Sequence, residues 1–430
     1  MTSLDRRTLL RVALGTSLTT ATLGLAGCGT GGGGGGGGKK DGSLSVLTPI
    51  FATAPGKKVL EGRITKAHRA SYPGATVKVD YSTWDVLPEK ISTGLAGGTL
   101  ADIVMVGFGW IPPFAAKNTF AELPGSLGEQ SGYIDQVIAP ARYLDKTYGL
   151  PLGLDPIVMA YRKDHFEEAG ITATPRTLDE LRAAAKELTR RTSGGGFERA
   201  GIDVTAANLR QQWISLVDAC GGRMFDDDGK KVLFDSDAGA KALGYLAGLV
   251  SDKSTSLSFR GSGAIPLETL RKGTCSIAPT AASAIGQTAV EANGSSDLDP
   301  IGYFVLEDVK PSLFVGGTLA AVNKRAKNPE AAMAFIEEVA AKKSSLAVTD
   351  PNGYLPPYGD LVADKSIRNP AASLIQENVK YSLSEGGTPA WMEIRQVIIP
   401  AIEGVLTGKQ SVDKAIDSLR RQSEDAIGRV

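Results

Sequence analysis

From Ser43 onward, short apolar runs alternate with longer amphipathic stretches. Leu44–Thr48 is an almost continuous apolar run. In Thr76–Ser82 the apolar positions Val77, Val79 and Tyr81 alternate with polar ones, the two-residue period of a strand covered on one face. Asp102–Val106, Ile157–Tyr161, Cys275–Pro279 and Leu313–Val322 read as further strands. Between them the period lengthens to that of a helix. Thr177-Leu178-Asp179-Glu180 forms a capping box after Pro175, and Leu178, Leu181, Ala185 and Leu188 follow on one face. Asn328-Pro329 opens a second helix striped by Ala332, Phe335, Ile336 and Val339. Ser411 caps a third, carrying Val412, Ala415, Ile416 and Leu419. Strands alternating with helices predict an α/β fold with largely parallel sheets.

The first residues follow another pattern. Leu9–Leu25 is apolar but broken by Gly15, Gly24 and several threonines, which leaves it short of a clean spanning helix. D-R-R-T-L-L-R ahead of it resembles the twin-arginine export signal, and L-A-G-C resembles the lipobox of bacterial lipoproteins. The resemblance implies that residues 1–27 are a signal peptide and that Cys28 carries a lipid. The chain would then sit on the extracytoplasmic face of the cell membrane, held by its lipid anchor. Eight glycines and two lysines follow. Gly33–Lys39 fits G-x-x-x-x-G-K, yet Lys40 stands where a phosphate loop needs Ser or Thr, and no strand feeds it. The G-x-y period of collagen is absent. An unbroken glycine run holds no single conformation without a large entropic cost, so residues 28–42 read as a tether.

With 430 residues, the chain has room for about two domains at roughly 150 residues each. Its 47 basic and 47 acidic side chains balance, so no net field draws it to nucleic acid. Three cysteines exclude a disulfide scaffold, and whether Cys220 and Cys275 meet is left open. Neither histidine, His68 or His165, has metal-ligand spacing, and both read as surface or helix-end residues. Asp226-Asp227-Asp228-Gly229 lacks the spacing and distal glutamate of a calcium loop, so a hairpin turn is expected there. No G-x-S-x-G elbow occurs, and no nucleophile, base and oxyanion set assembles. The reading is of a protein without catalytic residues, metal or cofactor.

A series of segments points to one family. Gly97-Gly98-Thr99-Leu100-Ala101-Asp102 before I-V-M-V resembles the "G-x-x-P-D-hydrophobic" strand entry of the family-1 extracellular solute-binding proteins of carbohydrate ABC importers. Y-G-L-P-L-G-L-D-P-I-V-M-A-Y-R-K-D-H-F-E-E-A-G-I resembles that family's "Y-G-(I/L)-P…Y-N-K-D-x-F-x-x-A-G" signature. P-R-T-L-D-E-L, G-G-R-M-F-D-D-D-G-K, R-K-G-T-C-S-I, N-P-E-A-A-M-A-F-I, N-G-Y-L-P-P, T-P-A-W and L-T-G-K-Q-S-V-D-K-A-I complete the order. The match runs from about Ser43 to Ile427.

The resemblance implies a two-lobed periplasmic-binding-protein-like fold with a three-segment hinge and an interlobe ligand cleft. Residues 43–153 plus 316–364 would form the N-terminal lobe, and 154–315 plus 365–430 the C-terminal lobe. It also implies a monomeric receptor that hands a small saccharide or sugar derivative to the membrane subunits of an ABC permease. A sugar is apolar on its faces and polar at its edges, so its site needs aromatic plates beside carboxylates and amides. The expected ligand-binding residues are Thr48 and Phe51 after the first strand, Trp84 after the second and Trp110 after the Asp102 strand. Asp155 follows the first crossover, where a turn before Pro156 is its other reading. Gln211 and Trp213 stand on a helix, with a core position equally open for Trp213. Asn352, Gly353 and Tyr354 form a loop, and Trp391 and Arg395 lie in the last hinge-side segment. Tyr161 reads as scaffold.

Three departures from the family pattern matter. Gly107-Phe108-Gly109 stands where many relatives carry an acid, no tryptophan follows Pro279, and Arg162 replaces the asparagine of "Y-N-K-D". They point to a ligand smaller, differently substituted or less plate-like than a maltodextrin. Competing readings are a non-sugar ligand such as a glycerophosphodiester or polyamine, an exported hydrolase, and a structural lipoprotein without ligand.

Overall fold

The computed structural model describes residues 41–128, 132–204, 208–257, 266–291 and 296–430. The leader, Cys28 and most of the glycine tether lie outside the described residues. In the N-terminal part, β1 (Leu44–Thr48) pairs in parallel with β2 (Val77–Tyr81) and β3 (Ile103–Gly107), and α1 (Leu87–Ala96) connects the last two. A long strand, β4 (Leu150–Arg162), leads out of this region. After it come α2 (Leu178–Leu188), β5 (Phe197–Ile202), α3 (Leu209–Ala219), α4 (Asp237–Ser251) and β6 (Cys275–Ala281). Then follow α5 (Ala282–Glu291), β7 (Ile301–Phe304) and a second long strand, β8 (Pro311–Val322). Three helices complete the framework: α6 (Pro329–Ala340), α7 (Trp391–Leu406) and α8 (Val412–Ile427).

Among the described residues, eleven strands join one sheet whose main path runs β2-β1-β3-β8-β4-β6-β5. The expected, largely parallel sheet is corrected at its centre. β8 is antiparallel to both β3 and β4, and β4 is antiparallel to β6 and β7. The cause is the pair of long strands. β4 carries the chain from one lobe to the other and β8 brings it back, so they must run in opposite directions. β8 pairs with β3 through Thr318–Val322, and β4 pairs with β6 and β7 through Ile157–Arg162. Gly316 stands opposite Asp155 and Thr318 opposite Gly153 in their shared register.

Side-chain packing follows this division. One core cluster gathers Val46, Leu60, Ile64, Met105, Phe335 and Ile336 around β1 and β3. A second gathers Leu181, Trp213, Phe234, Leu246, Trp391 and Leu419 around α2, α3, α4, α7 and α8. A third runs along the crossing strands through Leu154, Val158, Leu313 and Val315.

Local signals decide the helix starts. Thr177 Oγ1 accepts the backbone N–H of Glu180, and the Glu180 carboxylate accepts that of Thr177, completing the capping box. Ser411 caps α8 by accepting from the Lys414 N–H. Asn328 precedes α6 without capping it; its amide donates to the Ser43 carbonyl instead.

Both histidines stand near the ends of short helices, within the expected surface or helix-end reading, but they are buried rather than at the surface. His68 Nε2 lies 2.8 Å from the Gly42 carbonyl, and its ring stacks on Tyr72. His165 Nδ1 lies 3.0 Å from Ser276 Oγ. Cys220 and Cys275 are free thiols. Burial pushes the Cys220 thiol up to about 11, so it is protonated at neutral pH and unreactive. Asp226 turns the chain by accepting the backbone N–H groups of Lys230 and Lys231, with Gly229 at φ +67°. Arg162 forks onto Asp164 and reaches the Leu270 carbonyl, a scaffold role. Among the described residues, no helix is long and apolar enough to cross a membrane.

Candidate functional site

The carboxyl ends of parallel strands in α/β sheets open onto loops free to carry function. Here the segment after β2 holds Trp84 and Asp85, and the segment after β3 holds Phe108 and Trp110. Opposite them, α3 presents Arg210 and Gln211 in its first turn, and α7 presents Arg395 one turn in. Asp155 comes from β4 where the chain crosses, and Tyr354 from the segment that follows the helix Lys342–Thr349. Together with Glu385 these residues enclose a cleft of about 540 Å³. That is within the range of roughly 300–1,000 Å³ typical of small-molecule sites.

Two indoles form its aromatic part. Trp84 and Trp110 meet edge to face, with centroids 6.2 Å apart and planes at 77°. Trp110 is buried, and the Arg395 guanidinium lies 4.9 Å from its ring centroid. Trp84 is half-buried, which leaves it the indole with surface to offer. Gly107 makes room for both rings. A Cβ there would lie 3.2 Å from Trp110 Nε1 and 3.5 Å from Trp84 Cζ3, so the position that lacks an acid is occupied by indole.

The polar groups differ in how far they are already committed. Asp155 accepts from the Ser283 backbone N–H at 2.8 Å and from the Ser283 hydroxyl at 2.9 Å, which ties β4 to the start of α5. Burial nevertheless pushes its carboxyl up to about 6, against the lowering effect of those two bonds. Arg210 and Glu385 form an ion pair, Nε to Oε2 2.9 Å and Nη2 to Oε2 2.8 Å, with side chains only 9% and 10% exposed. With its amide oriented to satisfy both ends, Gln211 donates to the Asn208 carbonyl and accepts from Arg210 Nη2 at 3.0 Å. Burial raises the Tyr354 hydroxyl, and the Asp155 charge adds to the effect, so it remains a neutral donor and acceptor. Arg395 makes no hydrogen bond or ion pair among the described residues. Burial and Arg210 pull its guanidinium below the ordinary value, against Glu385 and Asp85. Its donors face the cleft uncommitted.

Of the residues expected from sequence, the fold brings Trp84, Trp110, Asp155, Gln211, Tyr354 and Arg395 together at this cleft. It places the others elsewhere. Trp213 is fully buried, edge to face with Phe234, its indole N–H toward the Gly239 carbonyl. Trp391 is likewise enclosed, against Phe225. Both indoles belong to the core cluster in which α3, α4, α7 and α8 pack together. Thr48 is buried and exchanges hydrogen bonds with the Ile50 backbone. Phe51 is buried at φ +69°, and its N–H donates to Asn352 Oδ1 at 2.9 Å. Asn352 therefore locks one loop to another, and its carbonyl accepts from Gln287 of α5. Gly353, also at φ +69°, lies so close to α5 that a Cβ would sit 2.3 Å from the Ser283 carbonyl. These two serve packing beside the cleft rather than its lining.

The sequence reading missed Asp85, Arg210 and Glu385. Arg210 and Glu385 lie 175 positions apart, a pairing that no local pattern exposes. The signal that remained was the Glu385-Gly386-Gly387 turn, since adjacent glycines before a helix mark close backbone approach.

The profile described as Bacterial extracellular solute-binding protein matches residues 55–345, more than half of the chain. A Brucella abortus protein named for binding, with no ligand stated, is 32% identical over 155 residues, 35% of this chain and 38% of that one. The chain thus matches well under two thirds of that relative's length. The diacetylchitobiose binding protein DasA of Streptomyces coelicolor is 24% identical over 304 residues, 66% of each chain. An ABC transporter solute binding protein from Thermotoga lettingae, solved with alpha-D-tagatose, superposes with a TM-score of 0.75 at 20% identity. The alignment covers 90% of this chain and 100% of that one, a likeness that concerns the fold. The extent of the profile match, together with the two long crossing strands and the cleft beside them, identifies the chain as a member of the bacterial extracellular solute-binding protein family.

Proposed function

We propose that this protein binds a small saccharide or sugar derivative between its lobes and delivers it to an ABC permease. The observation that carries the reading is the chemistry of the cleft: a partly exposed indole, Trp84, among Asp155, Tyr354, Gln211 and Arg395, whose donors have no hydrogen-bond partner among the described residues. A sugar ring has an apolar face for the indole and hydroxyls for the polar groups. The named ligands of two similar proteins, diacetylchitobiose and tagatose, are of the same class.

The lobes of this reading are residues 43–153 plus 316–364 and 154–315 plus 365–430. The register of β4 and β8, with Gly316 opposite Asp155, supports two of the three crossings. Closure about them expels water from the cleft and strengthens each hydrogen bond to the ligand. The site comprises Trp84, Trp110, Asp155, Gln211, Tyr354 and Arg395, with Arg210 and Glu385 as supports. Residues 1–27 serve as the signal peptide, Cys28 as the acylated anchor and the glycine run as tether, so the cleft works at the extracytoplasmic face of the cell membrane as a monomer. Binding is the whole task of this chain, with no turnover of the ligand.

A thermal-shift screen over neutral sugars, amino sugars, sugar phosphates, glycerophosphodiesters and polyamines tests the reading. A ligand at one hundred times its Kd stabilises the folded state by about 2.7 kcal/mol. A saccharide is expected to raise the melting temperature. A shift confined to the polyamines or glycerophosphodiesters would overturn it.

A further inference from the structure

A second cavity, about 450 Å³, adjoins the cleft and is lined by Pro112, Arg142, Phe225 and Asp226 together with Glu385 and Gly386. Glu385 lines both spaces. What stands at their boundary is a backbone contact between segments remote in sequence. Gly109, at φ +83°, follows β3; Gly386, at φ +108°, precedes α7. A Cβ on Gly109 would lie 2.3 Å from the Glu385 carbonyl oxygen, and one on Gly386 would lie 2.3 Å from Gly109 Cα. Neither position has room for a side chain, and both backbones are in the left-handed region that favours glycine. On the cleft side, the Glu385 side chain turns onto Arg210, and this nearly buried pair holds the loop in place.

We infer that the Gly109–Gly386 contact, backed by the Arg210–Glu385 pair, is the wall that sets ligand length, confining a bound saccharide to the first chamber. The inference rests on the saccharide reading above and deepens it. The first chamber, about 540 Å³, is the size of an ordinary small-molecule site. One or two sugar rings fit there. A longer chain that extends toward the second cavity must cross the wall, which requires the two backbones to part and the Arg210–Glu385 pair to shift. Length selection then comes from a contact that touches no hydroxyl: an oligosaccharide is rejected because the lobes cannot close over it.

The test titrates two series, N-acetylglucosamine to its tetramer and glucose to maltotetraose, against the wild type and Gly386→Ala. Calorimetry gives the affinities, and circular dichroism checks the fold. In the wild type, the one- or two-ring member of the series that binds should bind at least about tenfold more tightly than its tetramer. Gly386→Ala should reduce that ratio by about tenfold, since the added Cβ holds the wall apart. Should this variant fail to fold, Gly109→Ala and Glu385→Gln read the same ratio. Tetramers that bind the wild type as tightly as the shorter sugars would overturn the inference while leaving the saccharide reading intact, as would an unchanged ratio in folded variants. If no member of a broad saccharide panel binds, the saccharide reading falls and the inference falls with it.

Discussion

Trp84 and Trp110 stand on segments after β2 and β3, whereas Trp213 and Trp391 stand on α3 and α7, and the two pairs do opposite work. The helical pair is wholly enclosed, each ring edge to face with a phenylalanine of the second lobe's core. The loop pair meets edge to face with centroids 6.2 Å apart at the edge of a cleft, one member partly exposed and the other covered by Arg395. Indole chemistry is the same in all four. What differs is the partner available: core side chains for a residue on the inward face of a packed helix, open space and polar groups for a strand-end loop. An aromatic on the inward face of a packed helix is thus better read as core, and one at the carboxyl end of a parallel strand as a candidate plate.

The largest effect that would break this comparison concerns stability. Trp213→Ala or Trp391→Ala should cost about 3–5 kcal/mol, the sum of lost transfer energy and the cavity left behind. Trp84→Ala should cost less than either, because its ring is only partly buried against the core. Urea unfolding of the three variants checks this, and equal losses would erase the distinction.

Asp155 sharpens the comparison from the polar side. Its folded value of about 6 stands above the ordinary carboxylate value of 3.8, so between these pH values the folded state binds more protons than the unfolded one. The stability associated with its protonated form is complete below about pH 4 and is lost as pH rises through about 6. The stability at stake between these two pH values is on the order of 1–3 kcal/mol. Unfolding midpoints of wild type and Asp155→Asn from pH 4 to 7.5 should converge at the acid end and separate in favour of the variant above pH 6. Parallel profiles would show that Asp155 is not held in a desolvated position.

A smaller effect belongs to Arg395. Its guanidinium over Trp110 should contribute about 0.5–1 kcal/mol, and more only if well shielded from water. A double-mutant cycle with Arg395→Met and Trp110→Leu isolates that coupling. A coupling near zero would mean that the stack is incidental and that Trp110 is as available to ligand as Trp84.

Much of the fold was legible because local chemistry carried it. The run Leu44–Thr48 is β1 with the same bounds, and the Thr177 box opens α2 with both of its hydrogen bonds. The antiparallel centre was not legible, since the direction of β8 depends on a return path of the chain rather than on its own residues. The candidate cleft was legible only in part. Position after a strand pointed to Trp84 and Trp110, but which face of α3 meets the sheet is a tertiary fact, and it sends Trp213 inward while Arg210 and Gln211 face the cleft. The Arg210–Glu385 pair and the Gly109–Gly386 contact join loops that share no local pattern, so they emerge only once the chain is folded.

The most direct measurement is a calorimetric titration of the saccharide that most stabilises the wild type, into wild type, Trp84→Ala and Trp213→Phe. If Trp84 is the plate and Trp213 a core residue, Trp84→Ala should weaken binding by about 1–3 kcal/mol, roughly 10- to 100-fold, while Trp213→Phe binds within about threefold of wild type. Undiminished binding by a folded Trp84→Ala, or a loss confined to Trp213→Phe, would contradict the account.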